Sequence, residues 1–217
     1  TRFCIHPEEW FRTKIRVGGT KQVKMELIRE LQPDLIIANK EENVKEQIEA
    51  LEKDWPVWVS DVNNLAQALD MIRQIGEITN TAAKASILRS GIKTAFETAA
   101  NNNIPLRTAY LIWKDPWLSI GGDTFIHDML EKAGLTNIYQ SYSRYPEISI
   151  EELRSMNCEL LLLSSEPYPF NEKHIAGLQE QLPGTKIVLA DGEMFSWYGS
   201  RLLQSPAYFQ KLWQKIK

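Results

Sequence analysis

Histidine is scarce in this chain of 217 residues, with three, and cysteine is scarcer, with two. His6, His127 and His174 are scattered, with no further ligand motif beside any of them. A dedicated metal centre needs three or four convergent ligands. No resident metal is therefore expected, and a receptor for bare manganese or zinc ions is disfavoured. Asp123, His127 and Asp128 fall close together, and the first two could share a helix face. Capping of a helix by Asp123 or Thr124, with His127 at the surface or in support, accounts for them without a metal. Cys4 and Cys158 sit one in each half, each at or beside an expected strand. A bridge would need their Cα atoms within about 7 Å, so buried free thiols are expected instead.

Other absences narrow the field further. No apolar run approaches the roughly 18 residues of a membrane span. The opening "TRFCIHPEEW" lacks the charged start and apolar core of a signal peptide, so any signal would have been removed beforehand. Lysine and arginine number 25 against 28 acidic residues, for a formal net charge of -3. No basic stripe is visible, and nucleic acid is not an expected partner. There is no G-x-S-x-G elbow and no G-x-x-x-x-G-K-[ST] phosphate loop. "GGTK" (Gly18–Lys21) and "GGDT" are too short for dinucleotide fingerprints. Carboxylates abound, but no pair is set apart by its surroundings as an acid and a base.

What is present is a packed globule, with 43% hydrophobic and 24% charged residues. The length suits one large domain or two lobes of about 100 residues. Short strands are expected at Thr1–Ile5 and Ile15–Gly19. A helical stripe follows over 22–32, through Val23, Leu27, Ile28 and Leu31, and Pro33 closes it. The continuous run Leu35–Ala38 reads as a strand buried on both faces. A helix over 43–52 with Asn43 as N-cap and a strand in "PVWVS" complete a parallel βαβ pattern. From Asn64 to about Asn102 the pattern is helical only. A helix of some 20 residues there would be about 30 Å long, enough to join two lobes as a strut. The βα pattern then resumes. Strands are expected at Arg107–Trp113, 137–139, Glu159–Ser164 and Thr185–Asp191. Helices are expected at Asp123–Ala133, 149–156 with a Ser149/Glu152 capping box, 172–181 and 199–217, the last bent or broken at Pro206. The expected domains are therefore an N-terminal α/β lobe over 1–63, a helical connector over 64–104 with its backbone helix at about 81–102, and a C-terminal α/β lobe over 105–217.

One internal echo stands out. Leu31, Asp34, Leu35, Ile36, Ile37 and Glu41 register with Met156, Glu159, Leu160, Leu161, Leu162 and Glu166 at a constant offset. The same strand, ending in the same carboxylate, occurs once in each half.

Three loops of the second half carry aromatics beside cations, each after an expected strand. In open parallel sheets, ligands sit outside the carboxyl ends of strands. "WKDPWLSIGGDTFIHDML" places Trp113 and Trp117 there, and indoles offer broad apolar contact with one polar N–H. "SYSRYPE" sets Arg144 between Tyr142 and Tyr145, a guanidinium suited to a carboxylate or phosphate. "GEMFSWYGSR" adds Phe195, Trp197, Tyr198 and Arg201. Together they predict a cleft for a large, flat or apolar ligand.

The order and spacing of "VGGTKQVKMELIRELQPDLIIANKEEN", "PVWVSD", "WLSIGGDTFIHDMLEKAGLTNIY", "SIEELRSMNCELLLLSSEPY" and "IVLADGEMFSWYGSR" resemble the class III, helical-backbone substrate-binding proteins of bacterial ABC importers. That family includes receptors for cobalamin, ferric siderophores and haem. The resemblance implies two Rossmann-like α/β lobes with central parallel sheets joined by a long rigid helix, ligand between them, and no enzyme activity. It implies a metal-chelate ligand contacted by Trp113, Trp117, Arg144, Trp197, Tyr198 and Arg201, and no other cofactor. It also implies a permease dimer as partner, a periplasmic or cell-surface location, and contact with the membrane only through that permease or a lipid anchor outside this sequence. In such proteins each lobe presents a glutamate to the permease, and two-fold partners suit equivalent carboxylates. Glu41, Glu42 and Glu166 are the first candidates, with Glu46 and Glu172 as rivals, because Lys45 stands where the family's first glutamate usually falls. Such chains usually begin with a further strand and helix before a "TRF"-like stretch, so the first lobe is expected to lack that unit. The competing expectation is a two-lobed α/β enzyme, which would show a strongly shifted titratable group, Glu166 or Asp191, beside the aromatic loops.

Overall fold

A computed structural model describes residues 4–99 and 105–216. The chain divides into two compact units, Thr1–Asp61 and Val62–Lys217.

In the first unit, α1 (Glu8–Thr13) is a short exposed helix that the apolar pattern does not announce. It is followed by α2 (Met25–Leu31), β1 (Ile36–Asn39), α3 (Lys45–Leu51) and β2 (Val57–Ser60). The two strands pair in parallel, Ile36 opposite Val57. Ile28, Ala38, Ile48 and Leu51 form a small core between sheet and helices. Three sequence expectations change here. Thr1–Phe3 of the first expected strand lie outside the described residues, and Cys4 and Ile5 are not in a strand. Ile15–Gly19 makes only a bridge between Gly18 and Val23, because Gly18 at φ +110° reverses the chain. Asn43 does not cap α3. Its Oδ1 accepts from the Asn39 N–H at 2.8 Å and its amide donates to the Thr20 carbonyl, leaving Val44 at the cap with no side-chain bond.

The second unit opens with α4 (Leu65–Ile78) and α5 (Ala82–Thr98). Asn64 caps α4 by accepting from the Gln67 N–H at 2.9 Å. Gly76 lets the two helices meet, since a Cβ there would fall 2.4 Å from that of Ala85. The sequence expectation for the tail of this helical stretch, 100–104, falls outside the described residues. Then come β3 (Leu106–Leu111), α6 (Phe125–Lys132), β4 (Leu135–Asn137), α7 (Ile150–Ser155), β5 (Leu160–Ser164), α8 (Glu172–Gln181) and β6 (Lys186–Ala190). A short α9 (Glu193–Ser196), a 3-10 turn (Ser200–Leu203) and α10 (Ser205–Ile216) complete it. The strands form one parallel sheet in the order β4-β3-β5-β6.

The four leucines of β5 explain why the sequence runs apolar without alternation. Leu160 and Leu162 pack on one face with Tyr110 and Val188, and Leu161 and Leu163 on the other with Ala109, Leu111 and Ile187. All four are fully buried, and each such leucine contributes about 1.5–3 kcal/mol. Ala68 and Ile72 of α4 and Ala85 and Ile92 of α5 join the first face, beside Met129 of α6 and Phe209 of α10. The helices over 64–98 are thus built into the core of the second unit. The expected strand at 137–139 lies two residues earlier, because Asn137 Oδ1 accepts from the Tyr139 N–H at 3.0 Å and turns the chain. The expected helix over 199–217 is broken just before Pro206, into the 3-10 turn and α10. Pro206 itself sits in the first turn of α10, where no N–H is required. The expected capping box of α7 is present, with Ser149 and Glu152 bonded reciprocally at 3.1 and 2.8 Å. Cys158 is buried as expected, but Cys4 is exposed; among the described residues, the core of the first unit takes its members from Val17 onward.

Candidate functional site

Because β3 to β6 run parallel, their carboxyl ends share one edge of the sheet, and four loops leave from it. The chain goes from β3 outward to β4, then crosses back to β5, so β3 and β5 flank the point where the strand order reverses. Such a point opens a crevice between loops that depart in opposite directions.

The loop after β3 folds back on itself. The Ile112 N–H donates to the Leu118 carbonyl at 3.0 Å and the Leu118 N–H to the Trp113 carbonyl at 3.2 Å. It is then stitched to the loop after β4. The Ser119 N–H donates to Pro146, the Gly121 N–H to Arg144 and the Gly122 N–H to Tyr142, at 3.0, 2.7 and 3.0 Å. The Gly-Gly pair is what permits this approach. A Cβ on Gly121 would lie 2.3 Å from the Tyr142 carbonyl oxygen, and one on Gly122 2.1 Å from that of Gln140. Thr124 then caps α6 by accepting from the His127 N–H.

Trp113 is 40% exposed and stands edge-on to Tyr168, with ring centroids 5.7 Å apart. Trp117 lies stacked on Phe170 at 6.2 Å, with Lys114 Nζ 5.8 Å from its ring. Tyr168 packs on Phe170 at 4.7 Å, and its hydroxyl meets His174 Nε2 at 3.2 Å. The structure therefore joins the two expected tryptophans to Tyr168 and Phe170, which sequence reading passed over. Their signal was the alternation of proline and aromatic in "EPYPF", directly after a strand.

Glu166 follows β5 and is half-buried. Its Oε1 accepts from Trp197 Nε1–H at 2.6 Å and from the Ser196 hydroxyl at 2.8 Å. A Cβ on Gly192 would lie 2.4 Å from Glu166 Cγ, so glycine is needed for the loops to close around this carboxylate. Burial raises the Glu166 pKa above the usual carboxylate range; the two hydrogen bonds oppose the rise, and nearby Glu193 and Asp191 add to it. Beneath it, the buried Tyr110 hydroxyl donates to Ser164 Oγ at 3.0 Å, which in turn donates to the Glu166 carbonyl. Tyr198 packs edge-on against Phe125 at 5.1 Å, and Arg201 pairs with Glu193 at 2.7 Å. Trp197, Tyr198 and Arg201 thus share one loop, and all three are engaged by the protein itself.

Arg144 adopts φ +55°. Its N–H donates to Asp123 Oδ1 at 2.6 Å, its guanidinium reaches the Asp123 carbonyl at 3.3 Å, and Tyr145 lies 5.4 Å beneath it. Tyr142, two residues before it in the chain, is 43% exposed.

In the first unit, Glu42 is exposed and Glu41 half-buried, in the turn that follows β1. The Glu42 N–H donates to Asn39 Oδ1 at 2.9 Å. The internal echo has a local counterpart in the second unit, where the Glu166 N–H donates to Ser164 Oγ at 3.3 Å. Glu46, in the first turn of α3, and Glu172, at the start of α8, are exposed. Among the described residues, no group of three or more metal-ligating side chains converges. Among them, too, no helix is long and apolar enough to cross a membrane.

Comparison with known proteins bears on the same residues. The sequence pattern of the family described as "Periplasmic binding protein" matches residues 6–186. The vitamin B12-binding protein of Vibrio parahaemolyticus is 24% identical over 154 residues, which are 69% of this chain and 56% of that protein. The chain thus spans little more than half the length of that relative. The periplasmic heme-binding protein BhuT, solved with two hemes, superposes with a TM-score of 0.84 at 19% identity, covering 99% of this chain and 87% of its own. The periplasmic vitamin B12 binding protein BtuF of Vibrio cholerae does so with a TM-score of 0.76 at 16% identity, covering 100% and 87%. These likenesses establish the fold, an α/β arrangement with parallel sheets. The proteins so matched are binding proteins, not enzymes. The Glu166 pKa is raised by burial, but its carboxylate is occupied by two donors of its own chain.

Proposed function

This chain belongs to the periplasmic binding protein family, and from that footing we propose that it is the substrate-binding component of an ABC importer for a metal-chelate ligand, a cobalamin or a ferric siderophore. The observation that carries the reading is the aromatic cluster at the strand-order reversal. Trp113 is exposed there, and Trp117 is fixed beside it by its stack on Phe170. Large ligands are held by apolar walls with a few placed polar groups. In this reading Trp113, Trp117 and Trp197 are the walls. Arg144 supplies the polar contact at the rim, and Tyr198 and Arg201 keep the Trp197 loop in place. The ligand would then be delivered to a permease dimer, from a periplasmic or cell-surface location. Glu41 and Glu42 suit docking in the first unit. In the second, Glu166 is committed to Trp197 and Ser196, which favours the exposed Glu172 over it.

The test is a tryptophan fluorescence titration with cyanocobalamin, haemin, and two ferric siderophores of different charge, corrected for ligand absorbance. Saturable quenching by one of them, weakened at least about tenfold, or about 1.4 kcal/mol, in Trp113→Ala, supports the reading. Binding that survives unchanged in Trp113→Ala and Trp197→Ala moves the ligand away from this face and refutes it.

A further inference from the structure

The charge on the same four loops points to the class of chelate. They carry three cations, Lys114, Arg144 and Arg201, and each is already engaged by the protein. Arg201 is paired with Glu193 at 2.7 Å, with both side chains largely covered. Lys114 lies 3.9 Å from Asp115 and over the Trp117 ring. Arg144 is held to Asp123 through its backbone N–H and its guanidinium. Three further carboxylates, Glu147, Glu166 and Asp191, stand on these loops, and among the described residues no ion pair takes them up. Glu147 is exposed, next to the bridge that joins Leu118 to its own backbone. The Asp191 carboxylate is engaged by the backbone, its Oδ1 accepting from the Glu193 N–H at 3.1 Å. Burial is the main cause of the raised Glu166 pKa, and the nearby Glu193 and Asp191 add to it.

From this juxtaposition of exposed indole and phenol rings with unmatched carboxylates and spoken-for cations, we infer that the C-terminal loops select an uncharged or cationic chelate and reject polyanionic ones. The inference rests on the receptor reading above and adds to it the sign of the cargo. An uncharged macrocycle or hydroxamate, edged with amides, would meet the rings through its apolar faces. Its amide N–H groups would meet Glu147 and Asp191 as acceptors. A triply anionic catecholate would bring its charge to a face already in excess of carboxylate. Such repulsion across a few ångströms is weakened by salt, with a screening length of about 8 Å at physiological ionic strength.

The test measures affinity at low and at physiological salt for three probes: cyanocobalamin and ferrichrome, both uncharged, and ferric enterobactin, triply anionic. One uncharged probe is expected to bind at least about tenfold more tightly than the catecholate at low salt. That margin should narrow as salt rises, because only the catecholate's affinity improves. Asp115→Asn, at an exposed position, is expected to narrow it as well without altering the affinity of the uncharged probe. Tighter binding of the catecholate, with an affinity that falls as salt rises, overturns the inference and leaves the receptor reading standing. Binding of none of the three, nor of haemin, refutes the receptor reading and the inference with it.

Discussion

The indole of Trp197 is held by a hydrogen bond to a half-buried carboxylate, and the strength of that bond can be worked out and measured. Trp197→Phe keeps an aromatic ring but removes the N–H that reaches Glu166 Oε1 at 2.6 Å. A hydrogen bond to a charged group contributes about 1.5–3 kcal/mol, against about 0.5–1.5 for one between neutral groups. The substitution also removes apolar area, so its total cost does not isolate the bond. Glu166→Gln supplies the control. Its amide oxygen still accepts from Trp197 and Ser196, but without charge. The cost of Trp197→Phe should therefore fall by about 1 kcal/mol in the Glu166→Gln background, which is the coupling expected of residues in direct contact. The pH dependence follows from the raised pKa. A carboxyl whose folded pKa lies above its unfolded value stabilises the fold at low pH, and that stability is lost as pH rises through the folded value. Glu166→Gln should thus stabilise the protein at neutral pH and give no advantage below the unfolded carboxylate pKa. The coupling should shrink over the same interval, because the protonated acid is the weaker acceptor. Urea unfolding of the four proteins at pH 7 and pH 4, with amide exchange in β5 reporting the second unit alone, reads both effects. An equal cost of Trp197→Phe in both backgrounds and at both pH values would refute the reasoning and assign the whole effect to packing.

Other expectations are simpler. Gly122→Ala forces a methyl to 2.1 Å from a backbone carbonyl oxygen that no side-chain rotation can relieve; overpacking costs about 1–3 kcal/mol, and a urea midpoint unchanged from wild type would show that the loops are not so tightly joined. Leu161→Ala should destabilise the second unit by about 2–5 kcal/mol, since the leucine is fully buried in the middle of the sheet, and a loss below about 1 kcal/mol would contradict that placement. Burial pushes the Cys158 thiol up to about 11, whereas Cys4 is exposed; an aromatic disulfide reagent at pH 8 should titrate one thiol in the native protein and two in urea, and fast reaction of both in the native state would be contrary to the fold.

The parts of this fold that were legible in the sequence are those where one local force dominates. The apolar run in β5 announced a strand, and Ser149 with Glu152 announced a helix start, because burial and capping leave marks at fixed spacing; the run Leu35–Ala38, expected to be buried on both faces, is not, since Ile37 in β1 is 48% exposed. Boundaries failed where a side chain found a better partner than the helix. Asn43 was expected at a cap and instead bridges Asn39 and Thr20. Ile15–Gly19 failed because a strand exists only by pairing, and its apolar residues alone could not say that the chain turns back. At the site, the tryptophans were visible as unusual residues after strands. Their companions Tyr168 and Phe170 were not, since contact across the crevice depends on the β4-β3-β5-β6 order and not on proximity in sequence. Glu166 illustrates the same limit. Its register with Glu41 is real in the chain, yet the two carboxylates stand in different local structures, one in the turn after β1 and one beneath an indole.

The backbone stitching between the loops after β3 and β4 also has a bearing on time. Loops already fixed to each other by main-chain bonds through Gly121 and Gly122 need little ordering when a ligand arrives. Ordering a side chain at an interface typically costs about 0.5–1.5 kcal/mol, and here much of that loss has occurred during folding. Encounter with cargo should then proceed close to the rate of diffusional docking onto a rigid surface. Differences in affinity among chelates would appear in how long each one stays, because a prearranged face discriminates chiefly through dissociation. A receptor of this kind loads quickly with whatever fits, and the residence time of its cargo sets the interval in which delivery must take place.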